Sequence, residues 1–250
     1  MKITKAGMLV VCLCAVAPKI ASAQMMQWTD KGYAAVTGGA QVGSHNLDTN
    51  STFDLYEDIA TVSSTQKVKG GGFFDIGGAY RVWGRNRLGV WGRNLLGGVN
   101  FSHTSSDTNV SLNASIPDPA VTDRPRSVTA SQSGAKHSEN VVHLSAIWMM
   151  PVANKIDVGI FAGPSIFSVK QDTISSLTVS EPEPTVNAPL TTIKKTTVGV
   201  NLGVDVQYLF MKDWAIGGLA RYAWGSADIA GKNLTVGGFQ IGAGVRYRLH

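Results

Sequence analysis

The residues best suited to chemistry lie in FSHTSSD, Phe101 to Asp107, where His103 and Ser105 stand two positions apart. An imidazole beside a hydroxyl can activate it for attack on an ester, provided an acid orients the ring. The spacing assigns no such acid. The other internal histidines, His45, His137 and His143, are scattered and form no metal-ligand spacing. The glycines of GGFQIGAG precede no helical pattern, so they do not form a phosphate-binding loop. The Asn-x-Ser/Thr triplets at Asn50–Thr52 and Asn233–Thr235 would matter only in a eukaryotic secretory protein. The sequence therefore implies no metal, no cofactor and, at most, a weak case for serine chemistry.

Both cysteines, Cys12 and Cys14, fall in an apolar run from Gly7 to Ala17. Lys2 and Lys5 precede that run, and Ala21-Ser22-Ala23 follows it. This pattern predicts a signal peptide over residues 1–23, cleaved before Gln24. Val11 is larger than the small residue that a lipoprotein site places before its cysteine. Removing the three lysines of this segment lowers the formal charge from +5 to +2, so the basic pI is no argument for nucleic acid. A mature chain without cysteine excludes a disulfide scaffold, thiol catalysis and cysteine metal sites.

The elements that must position these residues are strands. From Thr197 to Phe210, Val198, Val200, Leu202, Val204, Val206, Tyr208 and Phe210 share one face. Asn201, Asp205 and Gln207 lie on the other among small residues. The same alternation runs through Trp214–Trp224 and Phe239–Leu249, and more weakly through Gly32–Gly43, Val68–Trp83, Leu95–Thr104, Asn140–Met150 and Ile156–Lys170. That makes eight strands, many near the roughly 9–11 residues that cross a bilayer at a tilt. Their connections alternate. Gly84–Asn86, Pro151–Lys155 and Met211–Asp213 are short, whereas Ser44–Lys67, Ser105–Glu139 and Gln171–Lys195 are long. The long connections read as mobile, solvated loops, PDPAVTDRPR and SEPEPTVNAP most clearly.

The segments GGFFDIGGAYRVW, GIFAGPSIFSVKQD, VGVNLGVDVQYLF and GGFQIGAGVRYRL resemble the eight-stranded outer-membrane β-barrel family, the OmpA/OmpX-like barrels. The resemblance covers essentially all of residues 24–250. It implies an all-β, eight-stranded antiparallel up-and-down transmembrane barrel in a bacterial outer membrane, with short periplasmic turns and long external loops. It also implies a monomer whose partners are membrane lipid, the barrel assembly machinery and an unidentified external ligand, and not nucleic acid. Gln240, Gly242, Val245 and Tyr247 match the C-terminal assembly signal of such barrels, with His250 standing where a terminal aromatic is usual. The His103–Ser105 pair resembles that of outer-membrane lipid A deacylases, which keeps a lipid hydrolase as an alternative function. A small-solute channel is a further one.

Within such a barrel the polar face turns inward. It carries Gln41, Asp75, Arg81, Asn100, Asp157, Asn201, Asp205, Gln207, Arg221, Gln240 and Arg246. Eight strands leave an interior just wide enough for side chains to fill, so these predict a polar plug more readily than an ion path. A turn centred near Lys212 places Asp205 opposite Leu219, which predicts an Asp205–Arg221 pair. Trp83, Tyr208, Trp214, Tyr247 and Trp148 fit an aromatic belt at the periplasmic rim, and Tyr222, Trp224 and Phe239 one toward the outside. The octapeptide VWGRNRLG at Val82–Gly89 returns as VWGRNLLG at Val90–Gly97. Two copies of this length cannot stack a core, so the repeat reads as a tandem duplication lengthening the turn between strands two and three, or else extending those strands as a hairpin below the membrane. Its Arg85, Arg87 and Arg93 would face the periplasm.

Overall fold

The computed structural model describes residues 28–55, 57–81, 94–121, 124–174, 178–180, 185–187, 189–229 and 231–250. The signal segment, Trp83 and most of the octapeptide duplication, with its arginines, lie outside these residues. The described residues form twelve strands: β1 (Gly32–Val42), β2 (Ser44–Leu55), β3 (Asp58–Lys69), β4 (Gly72–Arg81), β5 (Leu95–Ile116) and β6 (Arg126–Ala153), then β7 (Ile156–Ile174), β8 (Thr178–Ser180), β9 (Thr185–Asn187), β10 (Leu190–Leu209), β11 (Trp214–Ile229) and β12 (Lys232–Leu249).

Eight of them close a ring, in the order β1, β4, β5, β6, β7, β10, β11, β12 and back to β1. Every pairing is antiparallel. Closure leaves no unpaired edge around the ring, the condition a bilayer imposes on a strand-built span. The faces follow the alternation. Val198, Val200, Leu202 and Val206 point outward, while Asn201, Asp205 and Gln207 are buried inside. Tyr208, Trp214 and Tyr247 lie outward near the short-turn end, where the rings of Trp214 and Tyr247 meet edge to face at 5.0 Å. Tyr222, Trp224 and Phe239 lie outward toward the opposite end.

The long connections differ from the sequence expectation. They are strands. β2 and β3 pair antiparallel from Ser44↔Lys69 to Leu55↔Asp58, and β3 pairs with the upper part of β5 from Thr61↔Ser115 to Gln66↔Val110. β5 and β6 continue together to Ile116↔Arg126, and β7 and β10 to Ile174↔Leu190. Between Ile174 and Leu190, β8 and β9 pair with each other. The reason lies in weak alternation. Val62, Val110, Leu112, Ala114 and Ala135 pack as a small buried cluster on the inner face, with Ala130, Ile174 and Leu190 against it. Serine, threonine and asparagine occupy the outer face, so the mean hydropathy resembles that of a loop while the period remains two. One predicted strand is also divided: Val68 and Lys69 end β3, Gly70 and Gly71 interrupt, and β4 begins at Gly72.

Candidate functional site

The barrel interior holds the chemistry-bearing residues. Near its middle, Arg221 on β11 donates through Nη2 to Asp75 Oδ2 on β4 at 2.7 Å and through Nε to Gln240 Oε1 at 2.7 Å. Asn100 donates to the other Asp75 oxygen at 2.8 Å. Arg246 on β12 donates to Asp205 on β10 at 2.6 Å, and Gln207 donates to the same carboxylate at 2.9 Å. All four charges of these two pairs are buried.

This corrects the Asp205–Arg221 pairing expected from the hairpin. The register is as expected, with Asp205 opposite Leu219. But an inward arginine reaches across the lumen, and each guanidinium meets a carboxylate on a strand that is not its neighbour. Arg81 is apart from this network. Its Nη2 donates to the carbonyls of Trp28 and Asp30 at 2.8 and 2.7 Å, at the short-turn mouth.

That mouth is closed by a segment the sequence did not single out. Trp28 is buried, donates from Nε1 to Asp157 at 3.3 Å, and lies under the Arg248 guanidinium, 5.4 Å from its ring centroid. Arg248 pairs with Asp30 and with Asp157, the latter at 2.8 Å. His250 bonds Asp30 at 2.7 Å and Asp213 at 3.0 Å.

Toward the extended end the lumen is filled by amides and histidines. Gln41 accepts from Gln240 at 2.7 Å and from Thr104 at 3.0 Å, and donates to Glu139 at 3.3 Å. Glu139 also accepts the Gly237 N–H at 3.0 Å and contacts His137 at 3.0 Å. Gly237 has φ +89°, a conformation open to glycine, and this turns its N–H onto the carboxylate. His143 lies between Ser102 at 3.0 Å and Ser165 at 2.8 Å. His137 and His143 are compatible in sequence with a rim or lumen position; Glu139 is not singled out, because it falls in the stretch Ser105–Glu139 read as a loop.

His103 and Ser105 point outward, and the His103 ring bonds Asn140 at 2.7 Å. The serine–histidine contacts that do form, Ser102–His143–Ser165, are buried, and His143 has no carboxylate partner among the described residues. Between the two central ion pairs remains a cavity of about 20 Å³, room for about one water. Of the C-terminal motif, Gln240 and Gly242 face inward, and Val245 and Tyr247 outward.

A closed ring of antiparallel strands with an apolar exterior and a filled polar interior defines a membrane-spanning β-barrel. The chain matches the model of the outer membrane protein beta-barrel domain over residues 9–247 and belongs to that family, whose place is the bacterial outer membrane. It is similar in structure to Ail, the attachment invasion locus protein of Yersinia pestis, at 11% identity and TM-score 0.42, covering 88% of this chain and 100% of that one. Neisserial surface protein A aligns at 14% identity and TM-score 0.44, covering 87% and 96%. OprG from Pseudomonas aeruginosa aligns at 11% and 0.43, covering 90% and 99%. No curated protein sequence matches the chain.

Proposed function

We propose that this protein is a non-catalytic surface barrel whose extended end projects from the cell as a rigid interaction platform. The observation that carries this is the β-structured extension, with its own buried cluster of Val62, Val110, Leu112, Ala114 and Ala135. An extension packed in this way presents fixed side chains. On its outer face Ser63, Thr65, Ser111, Asn113, Thr129 and Ser131 form a grid across β3, β5 and β6, over a concavity of about 580 Å³. These are uncharged donors and acceptors, suited to a neutral polyhydroxyl partner. The filled lumen supports a plug in place of a channel. The cleaved segment in this reading is residues 1–23, and β12 carries the assembly signal on Gln240, Gly242, Val245 and Tyr247.

Four measurements test this. Ser131→Cys should react with a membrane-impermeant maleimide on intact cells, and protein extracted from outer membranes should begin at Gln24. Labelling only after the outer membrane is breached would sink the outward orientation. Purified protein in detergent should show no esterase activity on lipid A or phospholipid, and proteoliposomes should pass no small solutes. Hydrolysis abolished by both His103→Ala and Ser105→Ala in a folded barrel would replace the proposal with the enzyme reading.

A further inference from the structure

The outward face of β7 and β10 changes chemistry in register as it leaves the bilayer. Ile166 pairs with Val198, both outward and exposed. Two residues on, Ser168 pairs with Thr196, and two beyond that, Lys170 pairs with Lys194. Both lysines are exposed. An apolar pair, a hydroxyl pair and a cationic pair follow one another over four residues, about 13 Å along the strands. Like charges directly opposite on paired strands destabilise a sheet. Yet neither ammonium has an ion pair among the described residues. Asp172, two residues beyond Lys170 on β7 and opposite Thr192, accepts from neutral donors: the Lys136 N–H at 2.9 Å and the Thr192 hydroxyl at 2.6 Å. Lys136 adds a third outward cation on β6, two residues beyond Ser138, the partner of Lys170; Asp107 lies opposite it on β5.

We infer that Lys170 and Lys194 form a binding site for the phosphate of a membrane lipid in the leaflet next to the extended end. The three tiers match the order of groups in such a lipid: acyl chain against Ile166 and Val198, ester or hydroxyl region against Ser168 and Thr196, phosphate between the two ammoniums. Long lysine stems carry their charge to the headgroup level while lying along apolar surface. A shared anionic group removes the repulsion that the register imposes. A loop-tip cation pair would lack the apolar tier, and a pair serving a sheet would be staggered. The inference rests on the proposed outward orientation only for which leaflet supplies the lipid.

The test compares the wild type with K170Q/K194Q after refolding into vesicles, read as the thermal midpoint of heat-modifiable migration. In pure phosphatidylcholine the variant should melt no lower than the wild type, since its repulsion is gone. Adding phosphatidylglycerol should raise the wild-type midpoint above that of the variant, so that the order reverses. The apparent affinity for the anionic lipid should fall about fivefold per lysine removed. If the double variant fails to refold, K170Q and K194Q singly should each lose part of the gain. Equal gains in wild type and variants overturn the site. So does the same gain from inorganic phosphate added to phosphatidylcholine vesicles, which would make the ligand a free anion. The side of the membrane is settled separately by labelling Ser131→Cys, so failure of the orientation and failure of the lipid site give different results.

Discussion

Asp75→Ala is expected to cost the barrel about 3–5 kcal/mol, because it leaves the buried Arg221 guanidinium without its carboxylate. Asn100 loses an acceptor in the same step, and the adjoining cavity admits only about one water to compensate. Arg221→Met alone should be comparably harmful, as it strands Asp75. The double variant Asp75→Ala/Arg221→Met should recover much of the loss, since an apolar pair of similar volume removes both desolvation costs. The second pair, Asp205 and Arg246, should give a similar cycle. The check is urea unfolding in phospholipid vesicles, followed by tryptophan fluorescence. Coupling between Asp205 and Arg221 should be smaller than in either contacting pair. Coupling there as large as for Asp75 and Arg221 would contradict the cross-lumen arrangement.

These pairs mark where the sequence is legible and where it is not. Alternation along Val198–Phe210 assigns each side chain to a face, because the pleat has a period of two and the bilayer demands an apolar exterior. The hairpin turn at Met211–Asp213 is short enough to set the register of β10 on β11, and Asp205 opposite Leu219 follows from it. The partner of Arg221 does not follow. Asp75 lies on β4, with β1 and β12 between it and β11 around the ring, so their meeting depends on closure and shear of the whole barrel. Within the β10–β11 hairpin alone, Asp205 is the only inward carboxylate near Arg221.

The extension is hard to read in the sequence for a different reason. Its inner face uses alanine and valine at alternate positions among serines and threonines, and composition masked the period. Trp28 and Asp30 precede the first alternating residues, so nothing local marks them as the stopper of the mouth. Pro117 and Asp118 do fall directly after β5, where turn residues belong.

The abundance of inward glycine has a cause that becomes visible once the ring is closed. Phe167 on β7 is fully buried, and its ring lies against Gly199, Gly225 and Gly237; at Gly199 and Gly237 a Cβ would also meet the Trp224 and Ala223 carbonyls. A Cβ at Gly199 would stand 2.7 Å from the Phe167 ring, and one at Gly225 3.2 Å from two of its atoms. His143 closes the remaining side, edge to face at 6.5 Å. A narrow barrel thus accommodates an inward aromatic beside positions without side chains on the adjacent and next strands of the ring. Phe73 is treated likewise, since a Cβ at Gly39 or at Gly242 would stand 2.8 Å from its ring.

Phe167→Ala should therefore destabilise the barrel by about 3–5 kcal/mol, the cost of lost burial plus a cavity that a closed ring of hydrogen-bonded strands cannot collapse. Gly225→Val should be harmful in the wild type, because its Cβ meets only side chains, those of Phe167 and Val236, and these are tightly packed. In the Phe167→Ala background the same substitution should be neutral or stabilising, as the added methyls enter the vacated space. Vesicle unfolding midpoints of the four proteins form the cycle. The sign of the coupling decides the outcome: additive losses would mean that Phe167 and Gly225 do not share one site in the core, and that the glycines serve sheet curvature alone.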